Sequence, residues 1–179
     1  MKNTLLIVFF AFLMVSCHEK PQSVAPATNE NQLKESLEKA NRYLANDEEE
    51  DIESYVRRHQ WDMVSTGTGL RYEIVQQGEG PLIQAGQLVT MEYVLYDIFG
   101  DIVYSSENDG VMRFVVGQGA EVAGLDEAVR HLHRGDIAHV IVPSHLGYGL
   151  LGDQKSVPGR ATLVYTLKII EVQSSYQNN

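Results

Sequence analysis

The sequence predicts an α+β domain, a curved antiparallel sheet wrapped on one short helix and preceded by an amphipathic helical arm. Three observations lead there. Short β-type runs occupy residues 70–75, 88–96, 101–105, 112–116, 137–142 and 162–172. Between the fourth and the fifth, Leu125, Ala128, Val129 and Leu132 recur at i, i+3, i+4 and i+7, the spacing of one helical face. Ahead of all of them, the apolar positions of residues 33–59 follow a helical rather than an alternating pattern. A lone helix among antiparallel strands buries its apolar stripe against the concave side of the sheet, and the cleft between them is the natural pocket.

The elements follow in chain order. Met1-Lys2 opens with a positive charge, and residues 5–15 are an apolar run of signal-peptide length, too short to span a bilayer comfortably. Met14-Val15-Ser16-Cys17 then resembles the bacterial lipobox, with Met where Leu is commoner. The resemblance implies that residues 1–16 are a lipoprotein signal peptide and that Cys17 becomes the lipidated amino terminus. More than one acyl chain gives a stable anchor, since each buried methylene contributes about 0.8 kcal/mol. His18 follows in place of the Asp associated with inner-membrane retention in enteric bacteria, which points to the outer membrane, facing the periplasm.

Residues 17–32 are polar, include Pro21 and Pro26, and cannot bury enough apolar surface to fold, so they read as a flexible tether. A helical arm is expected over 33–64 in two stretches. Leu33, Leu37, Ala40 and Leu44 share one face of the first. The second begins at Asp47, with Glu50 three residues on in a capping-box relation and Ile52, Tyr55, Val56 and His59 along its apolar edge. Its charges read first as a solvated face. The alternative is a partner-binding arm through which two copies form a homodimer, because a helix this weakly apolar is marginal until it packs on something.

Composition narrows the function. The 179-residue chain carries 24 acidic against 14 basic Lys and Arg side chains, a formal charge of -10, which disfavours nucleic-acid binding through phosphate contacts. Its single cysteine rules out an internal disulfide, so the domain must be held by its core. His131, His133, His139 and His145 have neither cysteine companions nor HExxH spacing and read as satisfied or solvated histidines, with no metal or other cofactor expected. Gly117-Gln118-Gly119 with Gly124 does not fit a dinucleotide fingerprint, and no Gly-x-Ser-x-Gly occurs.

An ordered set of motifs carries the most information. Gly86-Gln87 leads into a strand containing Met91-Glu92-Tyr93, followed by Gly100-Asp101-Ile102-Val103-Tyr104-Ser105-Ser106 and Phe114-Val115-Val116-Gly117. Glu121-Val122-Ala123-Gly124-Leu125 opens the helix, then come His145-Leu146-Gly147-Tyr148-Gly149 and Val157-Pro158-Gly159-Arg160-Ala161-Thr162-Leu163-Val164-Tyr165. Over residues 68–172 this order resembles the FKBP-type prolyl cis/trans isomerases, leaving 173–179 as a tail. The extended arm behind a lipobox also resembles the lipoprotein FKBPs associated with gliding motility.

The resemblance implies a half-barrel sheet around one helix and an apolar, aromatic-lined pocket for a prolyl ring, with Leu125 beneath the ring. Tyr93, Met112, Phe114, Val122, Val157 and Tyr165 match the walls, and Val103 and Glu121 fall among the substrate-binding positions. The Val122 N–H and the Tyr148 hydroxyl match the groups that hold bound carbonyls. Such chemistry requires no nucleophile, because twisting the amide breaks no bond and only removes resonance behind a barrier of about 18–20 kcal/mol. The expected substrates are proline-containing unfolded or flexible envelope proteins.

Two positions depart from the family pattern. Val103-Tyr104 stands where an aromatic and Asp usually precede Ser-Ser, so the pocket carboxylate is missing at that position and Tyr104 is left as a neutral hydrogen-bond partner. Leu125 replaces the Trp often found at the pocket floor, a milder change since the floor stays apolar. The first departure keeps two readings open, a prolyl isomerase or a module that binds prolyl segments or unfolded chains without useful turnover; the tether alone suggests a third, an envelope scaffold.

Overall fold

The computed structural model describes residues 30–174. The signal peptide, Cys17 and most of the tether lie outside the described residues, as does the end of the tail. The chain divides between Arg42 and Tyr43 into two compact units. The sheet belongs wholly to the second unit, and the first helix crosses the division.

That helix, α1, runs unbroken over Glu30–His59, so the expected interruption before Asp47 is absent and its first residues come from the stretch expected to be tether. The reason is local: Ala45-Asn46 contains neither Gly nor Pro, and Asn and Asp disfavour a helix interior only weakly. Asp47 therefore caps nothing. Leu33, Leu37 and Leu44, the stripe expected to be apolar and packed, are 49%, 55% and 36% exposed. The acidic run is not simply a solvated face either. Glu48 accepts hydrogen bonds from Ser144 N at 2.6 Å, Ser144 Oγ at 2.9 Å and Thr162 Oγ1 at 2.7 Å, and Glu49 pairs with Arg71.

The strands are β1 (Val64–Ser65), β2 (Arg71–Gln76), β3 (Leu88–Tyr96), β4 (Ile102–Ser105), β5 (Met112–Val115), β6 (Ile137–Val142) and β7 (Leu163–Gln173). They form one seven-stranded sheet in the order β1-β2-β6-β7-β3-β4, with β5 also on β3, and the pairings are antiparallel. β4 and β5 share one edge of β3: β5 pairs residues 88–91 and β4 pairs residues 94–96. The one-turn helix α2 (Ser106–Asp109) carries the chain from one to the other. Register shifts at Ile74/Gln76, Thr90/Met91 and Leu95/Tyr96 add the local bends that curl a sheet. The α+β fold expected from the runs is the observed one; β1 and α2 are too short to leave a periodic signal.

Both faces of the central strands are covered. Alternation on β3 turns Val89, Met91, Tyr93 and Leu95 to the concave side, where β7 contributes Leu163, Tyr165, Leu167 and Ile169, all buried. Helix α3 (Ala123–Val129) lies across this face, with Leu125, Ala128, Val129 and the following Leu132 completely buried. Gly124 lets it approach: a Cβ there would fall inside the van der Waals contact of Val142 Cγ1. On the convex side Ile52 and Tyr55 of α1 bury Ile141 and Val164. β6 is thus enclosed on both faces, which is why its sequence Ile-Ala-His-Val-Ile-Val lacks a clean alternation.

Candidate active site

The candidate site draws its side chains from β3, β4, β5, β7 and the segment after β6. Strand pairing brings the residues there. Leu95 is opposite Tyr104 on one side and Tyr165 on the other, Tyr93 is opposite Leu167, and Met112 is opposite Met91. Ser105 and Ser106 explain the tight turn behind Tyr104: Ser105 Oγ accepts from Asn108 N at 3.4 Å, while Ser106 Oγ accepts from Tyr93 N at 3.2 Å. The same two residues therefore end β4 and fix the Tyr93 backbone.

Beyond β6, a 3-10 turn (Ser144–Leu146) leads into the loop that carries Tyr148. The loop is cross-tied. Arg160 N donates to Gly149 O at 2.7 Å and Asp153 N to Val157 O at 3.1 Å. Asp153 Oδ1 accepts from Lys155 N and Val157 N at 2.9 and 2.8 Å. Gly152 has φ 67, and a Cβ there would collide with Val157 O, so glycine is needed where the loop folds on itself.

These elements enclose a cavity of about 330 Å³ lined by Tyr93, Leu95, Tyr104, Met112, Tyr148 and Tyr165, with Asp109, Glu121, Asp153 and Lys155 around them. Of the residues expected at the site, Tyr93, Tyr104, Met112, Glu121, Tyr148 and Tyr165 face this one space. Phe114, Leu125 and Val157 lie behind it, 3%, 0% and 4% exposed, and Val103 and Val122 are half-buried against the same core. Leu125, expected directly beneath a ring, is closed over completely. A larger groove of about 630 Å³ is formed by residues 76–81, Gln87, Arg134, Gly135 and Val172, and gathers no aromatic side chain.

The electrostatics keep the phenols protonated. Burial, then the charge of Glu121 and Asp153 and the neighbouring Tyr104 and Tyr93, raises the Tyr148 pKa. Burial, then Asp109, Glu121 and Tyr104, raises Tyr93. Burial first and then Tyr148, Glu121 and Tyr93 push Tyr165 further still. Among the described residues, the hydroxyls of these three donate to no protein acceptor. Burial also raises the Glu121 carboxyl. Donors that keep their protons, set in apolar walls, suit the carbonyl oxygens of a peptide.

Tyr104 is arranged differently. Its hydroxyl donates to Asp153 Oδ2 at 2.5 Å. Burial works against charge on Asp153, but the Tyr104 hydroxyl and the Lys155, Val157 and Ser156 amides outweigh it and hold the carboxyl below its usual range. A carboxylate thus reaches the cavity from the loop, although the strand position itself lacks one. Sequence reasoning missed Asp153, Asp109, Lys155 and Leu95, since no local pattern marks a carboxylate that reaches Tyr104 only through loop closure. Elsewhere, His131 stacks on Tyr72, His145 meets Thr68 O at 3.0 Å, and no metal-holding cluster occurs among the described residues.

The comparisons with known proteins agree with this geometry. Residues 80–170 match the family model for FKBP-type peptidyl-prolyl cis-trans isomerase. A probable FKBP-type peptidyl-prolyl cis-trans isomerase, FkpA, of Neisseria meningitidis is 34% identical over 109 residues, covering 60% of this chain and 39% of the relative. The FK506-binding protein of Streptomyces anulatus is 33% identical over 102 residues, covering 55% of this chain and 82% of the relative. The chain thus spans well under half the length of the Neisseria protein and most of the Streptomyces one. A solved peptidyl-prolyl cis-trans isomerase from Pseudomonas syringae pv. tomato superposes with a TM-score of 0.64 at 19% identity, covering 74% of this chain and 96% of that one, a likeness of fold. With the curled sheet, the tyrosine-lined cavity and a family match over half its length, this chain belongs to the FKBP-type peptidyl-prolyl cis-trans isomerase family.

Proposed function

We propose that the cavity binds an X-Pro segment and isomerises its peptide bond, assisting the folding of extracytoplasmic proteins. The observation that carries this reading is the convergence of Tyr93, Tyr148 and Tyr165, whose hydroxyls have no protein acceptor among the described residues, on one cavity walled by Leu95 and Met112. A planar amide has a larger dipole than a twisted one, so an apolar site disfavours the ground state while fixed donors hold the flanking carbonyls. The Tyr148 hydroxyl and the Val122 N–H are the proposed carbonyl donors, with Tyr93, Tyr104 and Leu125 shaping the ring site and Val103, Phe114 and Val157 supporting its walls. No group of the protein forms a bond to the substrate, so the reaction needs no cofactor.

The anchor belongs to the same proposal. The pattern of residues 1–17 supports export and lipidation at Cys17, which would hold the domain in the cell envelope against clients that are unfolded or flexible. No described helix is long and apolar enough to cross a membrane. Cys17→Ser should leave an unlipidated precursor, read by mass spectrometry of the membrane fraction; a mature, membrane-bound mutant protein would refute the anchor.

The catalytic reading is tested with protein from His18 onward on a panel of Xaa-Pro peptides, beside a Met112→Trp variant that fills the cavity. Spontaneous exchange takes roughly tens of seconds or more, so acceleration is easily timed. Acceleration that Met112→Trp abolishes supports the reading. Peptide binding without acceleration supports a holding module instead.

A further inference from the structure

Glu121 is the one carboxylate of the cavity rim with no role in holding the protein together. Asp109 accepts from Ser105 N at 3.0 Å, and Asp153 is occupied by Tyr104 and three loop amides. Glu121 is half-buried, yet among the described residues it has neither a hydrogen bond nor an ion pair. Lys155 lines the same cavity without reaching it, since no ion pair joins them. The segment is also open on its other side, where Glu121 borders a second hollow of about 380 Å³ beside Gly119, Ala123 and Arg130.

Partly removing a carboxylate from water without a partner costs free energy, and that cost is recovered only if a cation or a donor arrives. Among the described residues no cation or donor pairs with it: Lys155 lines the same cavity without reaching it, and Arg130 beside the second hollow is paired with Asp126. Glu121 lines the same cavity as Tyr93, Tyr148 and Tyr165, and its charge is among the causes that raise each of the three. Its backbone neighbour Val122 is the proposed holder of a bound carbonyl, so the Glu121 side chain stands beside the residues flanking the proline. Around the cavity there are three carboxylates and one ammonium, in a chain of formal charge -10.

We infer that Glu121 is a specificity-determining residue that selects X-Pro segments carrying Lys or Arg next to the proline, by giving the basic side chain a partly desolvated carboxylate to pair with. This rests on the cavity being the prolyl site. A basic segment is also steered to the acidic rim at low ionic strength, so the preference weakens with salt. Lys155 limits the size of the effect by offsetting part of the rim charge.

The test uses protein from His18 onward and matched peptides with Lys, Leu or Glu before proline, read twice, as isomerisation kcat/KM and as dissociation constants from fluorescence anisotropy. Wild type should favour Lys over Glu by about fivefold, the equivalent of one partly exposed ion pair. Glu121→Gln should bring the Lys-to-Glu ratio close to one, and Glu121→Lys should invert it. A merely structural role would lower binding of all three peptides together and leave the ratio unchanged, which overturns the inference. Failure of the isomerase reading looks different: the Leu peptide would bind without being turned over, while the Lys-to-Glu binding ratio would still decide the role of Glu121. No binding of any peptide would overturn both.

Discussion

The two faces of the sheet are built from the same residue types and finished in opposite ways. On the convex side Tyr55, His59, Trp61 and His139 form a continuous aromatic cluster of two stacked pairs, Tyr55 on His59 and Trp61 on His139, each with centroids 4.0 Å apart, joined by a tilted His59–Trp61 contact. Several polar atoms there are spent within the protein: His59 Nδ1 meets Tyr55 O at 2.9 Å, His139 Nδ1 meets Thr166 Oγ1 at 3.1 Å, and Glu48 takes three donors, although Arg71 Nη1 is buried without a hydrogen-bond partner. On the concave side Tyr93, Tyr148 and Tyr165 surround an open space with their hydroxyls unspent. A closed aromatic cluster stabilises; an open one has capacity left for a guest.

The sharpest break of that comparison is Ile52→Ala. Ile52 is 1% exposed and joins α1 to Ile141 and Val164. Its truncation should cost about 2–5 kcal/mol of stability, as buried Ile truncations do, measured by denaturant unfolding. Turnover per folded molecule should stay at the wild-type value because the cavity is on the other face. A fall in specific activity of the folded fraction would show that the two faces are coupled.

Tyr148→Phe is the converse and a smaller change. It removes one donor from the cavity and no internal hydrogen bond, so the unfolding midpoint should barely move. A hydrogen bond to a substrate carbonyl contributes about 0.5–1.5 kcal/mol, so kcat/KM on Xaa-Pro peptides should fall by up to about tenfold. Unchanged turnover would remove Tyr148 from the proposed carbonyl donors, whereas a loss of stability would place it with the closed cluster.

How much of this was legible in the sequence differs between the faces for a physical reason. Strand 88–96 and the stripe of Leu125, Ala128, Val129 and Leu132 are set by local alternation and periodicity, and strand 137–142 by a short apolar, β-branched run; they stand where the pattern put them. The tyrosines came from an ordered motif set that fixes a fold as a whole. Asp153 had no such signal, because its partner Tyr104 is far away in the chain and only loop closure joins them. Glu48 was equally hidden: in a run of acidic residues nothing local distinguishes the carboxylate that will meet Ser144 and Thr162. The continuous helix was obscured because Asp47 and Glu50 have the spacing of a cap, while no residue before them is able to stop a helix.

The smallest expected effect separates the faces by pH. Burial acts on both but in opposite directions, since it always favours the neutral form. It raises the tyrosines of the cavity away from neutrality, so they do not titrate there. It lowers His139, a shift opposed by Glu73 across the β2–β6 pair and assisted by His59 on α1. With the folded pKa below the unfolded value of about 6.5, the unfolded chain takes up the proton first. The stabilisation is therefore complete above about pH 6.5 and is lost as pH falls from there through the folded value. Because His139 remains partly exposed, solvent screening keeps the contribution below about 1 kcal/mol. Between about pH 7.5 and 5.5, a window spanning that unfolded value, the melting temperature of wild type should drop further than that of His139→Gln. Equal drops in the two proteins would mean that the convex stack accepts the proton without cost, as an imidazolium lying flat on Trp61 can.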